Sequence, residues 1–178
     1  MPAVAPAVPI SVDSDTGIWT TDGLPMIYLP RHFYINHQSA LETAFGREAL
    51  HAVLYDAGYK SAWQWCEKES QTHGLRGTDV FRHYMTRLSQ RGWGRFSVLS
   101  LDEETGEADI RLEDSIYVLH HGKQAARKLC YPFDGWFPGA LEWAGRERAT
   151  PWALRAQETR CVGEGDPYCL FEVRRRAM

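Results

Sequence analysis

The segment ETRCVGEGDPYCLFEV, residues 158–173, lies near the end of the 178-residue chain. Its Gly-Glu-Gly-Asp-Pro portion, residues 163–167, is typical of a tight turn between two strands, so the segment predicts a β-hairpin. A turn needs no sulfur, yet Cys161 and Cys169 lie on either side of this one. The two thiols can approach each other across the hairpin, and the sequence therefore raises the question of what they bind.

A glutamate close to the same turn is a candidate partner for the two thiols. Glu158 precedes Cys161 by three residues, so it faces the other side of a regular strand unless a β-bulge or a twist intervenes. Zinc takes sulfur, nitrogen and oxygen ligands in a tetrahedron, and Cys130 and Cys66 are the remaining cysteines. The alternative is that these cysteines are small core side chains, as buried cysteines commonly are. The residues by themselves leave both interpretations open.

Length and composition indicate one globular domain without a strong electrostatic partner. Apolar residues make up 44% of the chain and charged residues 24%, as in ordinary globular proteins. The formal net charge of −3 offers no broad basic field, so we expect neither nucleic-acid binding nor membrane insertion. The N-terminal segment MPAVAPAVPI lacks the pattern of a secretory signal. We therefore predict a cytoplasmic protein, in which clustered cysteines indicate metal binding or chemistry rather than disulfides.

The N-terminal residues divide into an arm and the start of the domain. Residues 1–16 are rich in Ala, Pro and Val at first and then in small polar residues, and we expect them to form a flexible arm. Residues 17–178 are expected to form a single domain. Asp22 and Gly23 lie between two β-prone runs, which predicts a small hairpin at the start of that domain.

Helical periodicity dominates the next part of the chain. From Arg47 onward, apolar residues recur at steps of three and four, which predicts one long helix. A second helix is expected to begin with Thr78 or Asp79 as its N-cap. Its predicted buried face consists of Val80, Phe81, Tyr84, Met85 and Leu88.

Strand patterns then replace the helical ones. Residues 95–102 and 107–119 are predicted to be two strands joined by a tight turn, and residues 152–161 and 167–173 two more. A helical stripe from 124 to 146 separates the two pairs. Pro132 and Pro138 interrupt that stripe, so we expect the helix to be kinked or broken there.

The order of these elements defines the expected fold class. Helices come first, and a β-β-α-β-β arrangement follows. Strands joined in pairs by tight turns form antiparallel sheets, so the sequence predicts an α+β fold with an antiparallel sheet packed on helices.

A family resemblance joins the hairpin to the segment before it. LCYPFDGWFPGALEWAGR, residues 129–146, followed by the hairpin, resembles the V4R domain (4-vinyl reductase, 4VR). That family is related to the N-terminal sensor domains of phenol- and toluene-responsive activators and, distantly, to Bet3-like Golgi-transport proteins. The most specific resemblance covers residues 106–175. The matching motifs are Cys130-Tyr131, Gly135-Trp136-Phe137-Pro138-Gly139, Gly145-Arg146, Glu158-Thr159-Arg160-Cys161 and Cys169-Leu170-Phe171.

The resemblance implies a metal site and a fold. In the aromatic-compound sensors, the matching residues bind a structural zinc ion, which implies Cys130, Glu158, Cys161 and Cys169 as ligands here. It also implies the ligand-binding fold shared by NO-signalling and Golgi-transport proteins. Tyr131 replaces the family's usual tryptophan.

Aromatic residues near the same segment suggest a ligand pocket. Aromatic side chains make up 12% of the chain, and such rings line pockets for small apolar ligands as well as filling cores. Adjacent histidines on a strand face opposite ways, so at most one of His120 and His121 is expected to enter a given pocket. The predicted ligand-binding residues are Trp93, Tyr117, His120, Trp136 and Phe137.

These observations favour a stand-alone cytoplasmic sensor module that binds a small apolar or aromatic ligand, carries a structural zinc ion and forms a homodimer. Dinucleotide, P-loop, nucleophile-elbow and zinc-protease motifs are missing, so a catalytic role is less favoured. The first alternative is an accessory or catalytic component of tetrapyrrole or other small-molecule metabolism. The second is an assembly protein of the Bet3-like type.

Overall fold

The computed structural model describes residues 7–123 and 125–176, and within them it confirms the predicted α+β class. Five α-helices accompany two antiparallel sheets. The elements in chain order are β1 (Ser11–Val12), β2 (Trp19–Thr21), β3 (Leu24–Met26), α1 (Arg31–Phe45), α2 (Arg47–His73), α3 (Thr78–Gln90), β4 (Arg95–Leu101), β5 (Ala108–Glu113), α4 (Ile116–His121), α5 (Trp136–Ala144), β6 (Leu154–Arg160) and β7 (Cys169–Arg175). None of the described helices is both long and apolar enough to cross a membrane.

The predicted N-terminal hairpin is present. Strands β2 and β3 pair antiparallel around Asp22 and Gly23, whose φ angles of 52° and 73° suit a two-residue hairpin turn. β1 adds a third strand through the pairing of Ser11 with Thr20, so part of the segment expected to be an arm has strand structure. Residues 1–6 lie outside the described residues, and the division into an arm and a domain at residue 16 stays a prediction.

The two long helices lie where the periodicity places them, but the predicted cap is wrong. α3 buries the expected apolar face. Its N-cap is Gly77, and neither Thr78 nor Asp79 caps it with a side chain. The Thr78 hydroxyl instead donates to Glu103 at 3.1 Å, because the turn before β5 lies close enough to offer a charged acceptor.

The second sheet has the strand order β4-β5-β7-β6, with every neighbouring pair antiparallel. Its final strand pair is the predicted hairpin. The predicted strand at 107–119 is too long, because β5 ends at Glu113 and helix α4 follows. Asp114 has a positive φ of 53°, and the Ser115 hydroxyl accepts the Tyr117 N–H at 3.3 Å as an N-cap. This cap starts a helix where alternation of apolar residues suggested a strand.

The predicted helix at 124–146 is also wrong in its extent. Gln124 lies outside the described residues, and residues 125–130 have no helical structure. A 3-10 turn at Tyr131–Phe133 follows, and α5 covers Trp136–Ala144. Ala126 has a positive φ of 53°, which interrupts a right-handed helix, and Pro132 lies at the start of the 3-10 turn, where its missing N–H removes no helical bond. Pro138 is tolerated, since it lies in the first turn of α5, where backbone N–H groups have no intrahelical acceptor.

Two glycines, Gly135 and Gly139, let α5 and its N-terminal end pack directly against the backbone of α2. A Cβ atom at Gly135 would collide with the Tyr55 carbonyl, and one at Gly139 would lie 2.8 Å from the Tyr59 Cα atom. Both spacings are shorter than real Cβ contacts allow. This packing joins the helical first half of the chain to the second half and fixes the position of the segment that carries Cys130.

Candidate functional site

A β-bulge in the final hairpin brings Glu158 to the same side as Cys161. In the β6–β7 register, Glu158 lies opposite Phe171 and Arg160 lies opposite Leu170, which leaves Thr159 as an extra residue. The side chain of Glu158 is therefore buried, with the residue 1% exposed, although it is three positions from the buried Cys161. The bulge explains how Glu158 and Cys161, which face opposite sides of a regular strand, can both reach the same side of the sheet.

Three buried thiols meet beside this carboxylate. The Sγ atoms of Cys130 and Cys169 are 3.6 Å apart, and those of Cys169 and Cys161 are 3.7 Å apart. All three residues are 0% exposed. These separations are much longer than the ~2.05 Å of a disulfide bond, and the cysteines are free.

Cys130 reaches the hairpin from the loop that precedes the 3-10 turn. Its backbone N–H donates to Glu158 Oε2 at 2.9 Å, and its Sγ atom lies 3.0 Å from the Ser115 hydroxyl. The second Glu158 oxygen, Oε1, has no hydrogen-bond partner among the described residues. The carboxylate is thus held in place by one oxygen while the other is free to bind a ligand.

Backbone N–H groups point at the sulfur atoms. The N–H groups of Leu129 and Gly163 each donate to Cys161 Sγ at 3.3 Å. The Val162 N–H donates to Cys169 Sγ at 3.4 Å. Such donors stabilise negative charge on sulfur and orient thiolate ligands. The turn that joins the two strands therefore supplies donors as well as geometry.

The pKa values of these four groups depend on one another, because the groups share hydrogen bonds and charge interactions. Hydrogen bonds from Cys130 and Cys169 lower the pKa of the Cys161 thiol, while burial raises the pKa of Cys130 well above its usual value. Burial, followed by the negative charge of Cys161, raises the pKa of the Glu158 carboxyl. Crowding four acidic groups in a dry site disfavours their joint ionisation, and a bound cation removes that penalty.

The donor set fits a tetrahedral metal ion. A tetrahedron with metal–sulfur bonds of ~2.3 Å has edges of about 3.8 Å, close to the two observed sulfur–sulfur distances. The ligand atoms of Cys130, Glu158, Cys161 and Cys169 all lie within 4.8 Å of one another. The structure thus brings together all four predicted ligands in a group that could hold a metal. Core packing alone does not explain a buried carboxylate with an unpaired oxygen.

Four of the five predicted pocket residues lie in one aromatic cluster. Trp93 meets Trp136 edge to face with centroids 5.0 Å apart. Tyr117 and Trp136 each contact Phe133, at 5.3 and 5.0 Å, and Phe137 joins the cluster through Phe96 at 6.1 Å. Phe133, three residues after Cys130, is the ring that connects these side chains. Phe133 was not among the predicted pocket residues, although it lies three residues before Trp136, a spacing that places both side chains on one face of a helical turn.

The Tyr117 hydroxyl is the polar group of this aromatic cluster. Tyr117 is 1% exposed, and none of the described residues offers its hydroxyl a hydrogen-bond partner. Burial, and then the nearby Tyr34 hydroxyl, raise the pKa of Tyr117 well above its ordinary value. A neutral buried hydroxyl without a partner costs free energy that a hydrogen-bonding ligand would recover.

The two histidines lie apart from the aromatic cluster. His120 and His121 end helix α4, and both are exposed. Their rings contact each other with centroids 5.0 Å apart. The predicted alternation of strand faces does not apply to them, because the segment is helical.

Comparison with solved structures shows that this fold is shared with proteins of known structure. The crystal structure of the phenol-responsive sensory domain of the transcription activator PoxR with phenol matches with a TM-score of 0.76 and 16% identity, over 93% of this chain and 84% of that chain. A trafficking protein particle complex subunit 3 from Naegleria fowleri, covalently bound to palmitic acid, gives 0.58 and 15%, over 83% and 95%. A vinyl-4-reductase family protein from Methanocaldococcus jannaschii gives 0.54 and 14%, over 85% of each chain. The predicted V4R relationship is confirmed at the level of the fold.

The first half of the chain identifies its sequence family. Residues 4–99 match the family described as a domain of unknown function, DUF5943, and the chain belongs to that family. No curated protein matches the chain by sequence. The family match therefore covers the helical half, while the motifs that resemble V4R domains lie in the second half.

Proposed function

We propose that this chain is a sensor module that binds a small aromatic molecule and carries a structural zinc ion. The observation that supports this most directly is the continuity between the two candidate sites. Cys130 contributes to the group of thiols, and Phe133, one turn later, is the central ring of the aromatic cluster. A metal that fixes Cys130 would therefore also fix one wall of the ligand site.

Zinc is the ion that best suits the donor set. Three thiolates and one carboxylate are soft to borderline ligands at tetrahedral spacing, as zinc prefers. Four protein ligands leave no open coordination position, so the ion would stabilise the fold without activating water. In the cytoplasm, where we propose that the protein acts, reduced thiols remain available for such binding.

The aromatic cluster supports a flat, largely apolar ligand with one polar group. The PoxR sensory domain, which shares this fold, was crystallised with phenol. In the present chain, edge-to-face rings around Phe133 suit an aromatic guest. The unpartnered Tyr117 hydroxyl suits a hydroxyl or carbonyl on that guest. We propose Trp93, Tyr117, Trp136 and Phe137 as the ligand-binding residues. A ligand contact by His120, which is exposed at the end of α4, stays a prediction.

Calorimetry and thermal-shift measurements with phenol, substituted phenols and tetrapyrrole-like compounds test the ligand proposal. A binding compound should raise the melting temperature of the wild type, and Trp136→Ala and Tyr117→Phe should weaken its binding. Trp19→Ala is the matched control, because Trp19 lies on β2 and is 38% exposed. Equal binding to all four proteins, or turnover of the compound with an added reductant, would contradict the assignment of a sensor site.

We also propose that the module acts as a homodimer. Several large apolar side chains near the N-terminal sheet and α1 are exposed, among them Ile27 at 81%, Tyr28 at 86% and Phe33 at 60%. Large exposed apolar side chains are enriched at protein interfaces. Sedimentation at micromolar concentration should give twice the chain mass of 20.4 kDa, and Tyr28→Glu should give a monomer. A wild-type monomer, or a constant heterologous partner, would favour the assembly-protein alternative.

A further inference from the structure

A second cluster of potential metal ligands lies in the half of the chain that matches DUF5943. Asp22 comes from the β2–β3 turn, Glu69 and His73 from the last turns of α2, and His83 from α3. Their ligand atoms all lie within 4.8 Å of one another. The cluster shares no residue with the Cys130, Glu158, Cys161 and Cys169 group, so it is a separate site.

Distances within this cluster suit nitrogen and oxygen ligands around one ion. His73 Nε2 lies 3.3 Å from Asp22 Oδ1 and 3.3 Å from Glu69 Oε2. A tetrahedral ion with ligand bonds of ~2.0–2.1 Å has edges of about 3.3 Å. His83 Nε2 lies closer, at 2.7 Å from Glu69 Oε2, which is the length of a hydrogen bond. A metal ion bound to both atoms would take the place of the proton that they share.

Burial and an unpaired carboxylate oxygen favour the binding of a cation at this cluster. The side chain of Glu69 is 0% exposed and that of Asp22 is 2% exposed. Glu69 Oε1 has no hydrogen-bond partner among the described residues, and a buried carboxylate oxygen without one is costly. Both histidines present Nε2 to these carboxylates and remain partly accessible, with side chains 32% and 21% exposed, which gives an ion a route of entry.

Arginines next to the cluster determine which kind of ion fits. The Arg87 guanidinium contacts both oxygens of Asp22, at 3.1 Å each, and so orients this carboxylate as a supporting residue would. Arg91 is partly buried, and its charge interacts with those of Glu69 and Asp22. The two guanidinium groups offset the two carboxylates, so the site lacks the net negative charge that binds Mg²⁺ or Ca²⁺ in all-oxygen sites. Selectivity then depends on the two imidazoles, which favour first-row transition ions.

We propose that Asp22, Glu69, His73 and His83 bind a divalent first-row transition ion, such as Zn²⁺ or Co²⁺, that ties the N-terminal hairpin to α2 and α3. The site is structural, because all four ligands come from the protein and two of them are nearly inaccessible. It is independent of the proposed sensor function, and its occupancy does not depend on the thiol group.

Cobalt titration of the reduced 178-residue chain distinguishes the two centres. Cobalt bound by nitrogen and oxygen gives visible d–d absorption without the near-ultraviolet thiolate-to-metal band that the thiol group would produce. With zinc already bound at the thiol group, we expect the wild type to bind one further Co²⁺ with this thiolate-free spectrum and to gain thermal stability from it. Zn²⁺ should compete for the site, and Mg²⁺ should not.

Two ligand variants and one control complete the test. His73→Ala and Glu69→Gln should each weaken the thiolate-free cobalt binding at least tenfold, while His37→Ala, an exposed histidine of α1, should leave it unchanged. His73 is accessible, so its removal should not prevent folding, and circular dichroism checks this. No thiolate-free binding by the wild type, or equal binding by His73→Ala and Glu69→Gln, would overturn the proposal.

Discussion

The two clusters of potential metal ligands lie in opposite halves of the chain and are built differently. In the thiol group, three ligands come from one bulged hairpin and its turn, and backbone N–H groups from the same turn point at the sulfurs. In the His73 cluster, the ligands come from a hairpin turn and two helices, and arginine side chains balance the charge. Local chain geometry therefore prepares three ligands of the first site, which needs only Cys130 from elsewhere, whereas the second site exists only when three separate elements have packed together.

This difference leads to different consequences for folding. Removing one ligand of the thiol group should release its ion, and the β6–β7 turn then loses the metal bonds that hold its two strands to Cys130. A site assembled from distant elements reinforces packing that hydrophobic burial already supports, since α3 buries its apolar face without the ion. We expect the thiol group to dominate stability.

The largest expected effect is that of removing a thiol ligand. Cys161→Ser should abolish metal binding at the thiol group and lower the free energy of unfolding by more than about 4 kcal/mol, because a structural metal contributes directly to folding. Metal content per chain and urea unfolding measure the two effects. Cys66→Ala is the control, since Cys66 is buried in the core outside the group, and it should retain the metal. Full stability of metal-free Cys161→Ser would reverse the proposed ranking of the two sites.

The contact between the halves of the chain should be nearly as sensitive. Gly139→Ala places a Cβ atom against the Tyr59 backbone, and because backbone cannot rotate away, α5 must shift from α2. We expect a loss of about 3 kcal/mol of unfolding free energy, together with weaker metal binding, since the segment carrying Cys130 leads into α5. Lys60→Ala, an exposed position on α2, should change neither. A change in stability with unaltered metal binding would show that the thiol group does not depend on this packing.

A smaller effect, of opposite sign, is expected at the Tyr117 hydroxyl. Tyr117→Phe removes a buried polar group that has no partner, so it should stabilise the ligand-free protein by about 1 kcal/mol. Tyr59→Phe is the matched contrast, because the Tyr59 hydroxyl donates to Glu142 Oε2 at 2.6 Å. That variant should be destabilised by about 1 kcal/mol. Denaturant unfolding of both distinguishes them, and a loss of stability in Tyr117→Phe would mean that its hydroxyl has a partner in solution.

The smallest expected effect concerns an ion pair between the halves and depends on pH. Burial raises the pKa of Glu42, but hydrogen bonds from Arg127 and Tyr131 lower it by more. A carboxyl with a lowered folded pKa adds stability above its unfolded pKa, ~4.3, and loses that contribution as the pH falls through the folded value. Glu42→Gln should therefore cost less than about 1 kcal/mol at pH 7, and this cost should shrink as the pH falls through the folded pKa of Glu42. A cost that stays constant as the pH falls would contradict this role for the charge.

Local patterns in the sequence were sufficient for most elements of the fold. Apolar spacing predicted α2 and the buried face of α3, and turn residues predicted both hairpins, because each signal arises within a few neighbouring residues. The errors occurred where a single residue changed the local conformation. Ser115 starts a helix by capping it, and Ala126, with a positive φ of 53°, interrupts the predicted helix before Tyr131.

The candidate sites also differ in how far their residues could be predicted from the sequence. The four thiol-group residues could be named from sequence because a recurring motif carries them, although only the bulge at Thr159 shows how Glu158 joins them. The His73 cluster could not be named from sequence, since no spacing along the chain marks residues from separate elements as neighbours. Side-chain periodicity records which face of an element is buried, whereas the docking of α2 against α3 and α5 determines which buried groups meet. That docking depends on contacts at long separation along the chain, such as Gly139 against Tyr59, and therefore only the tertiary structure specifies it.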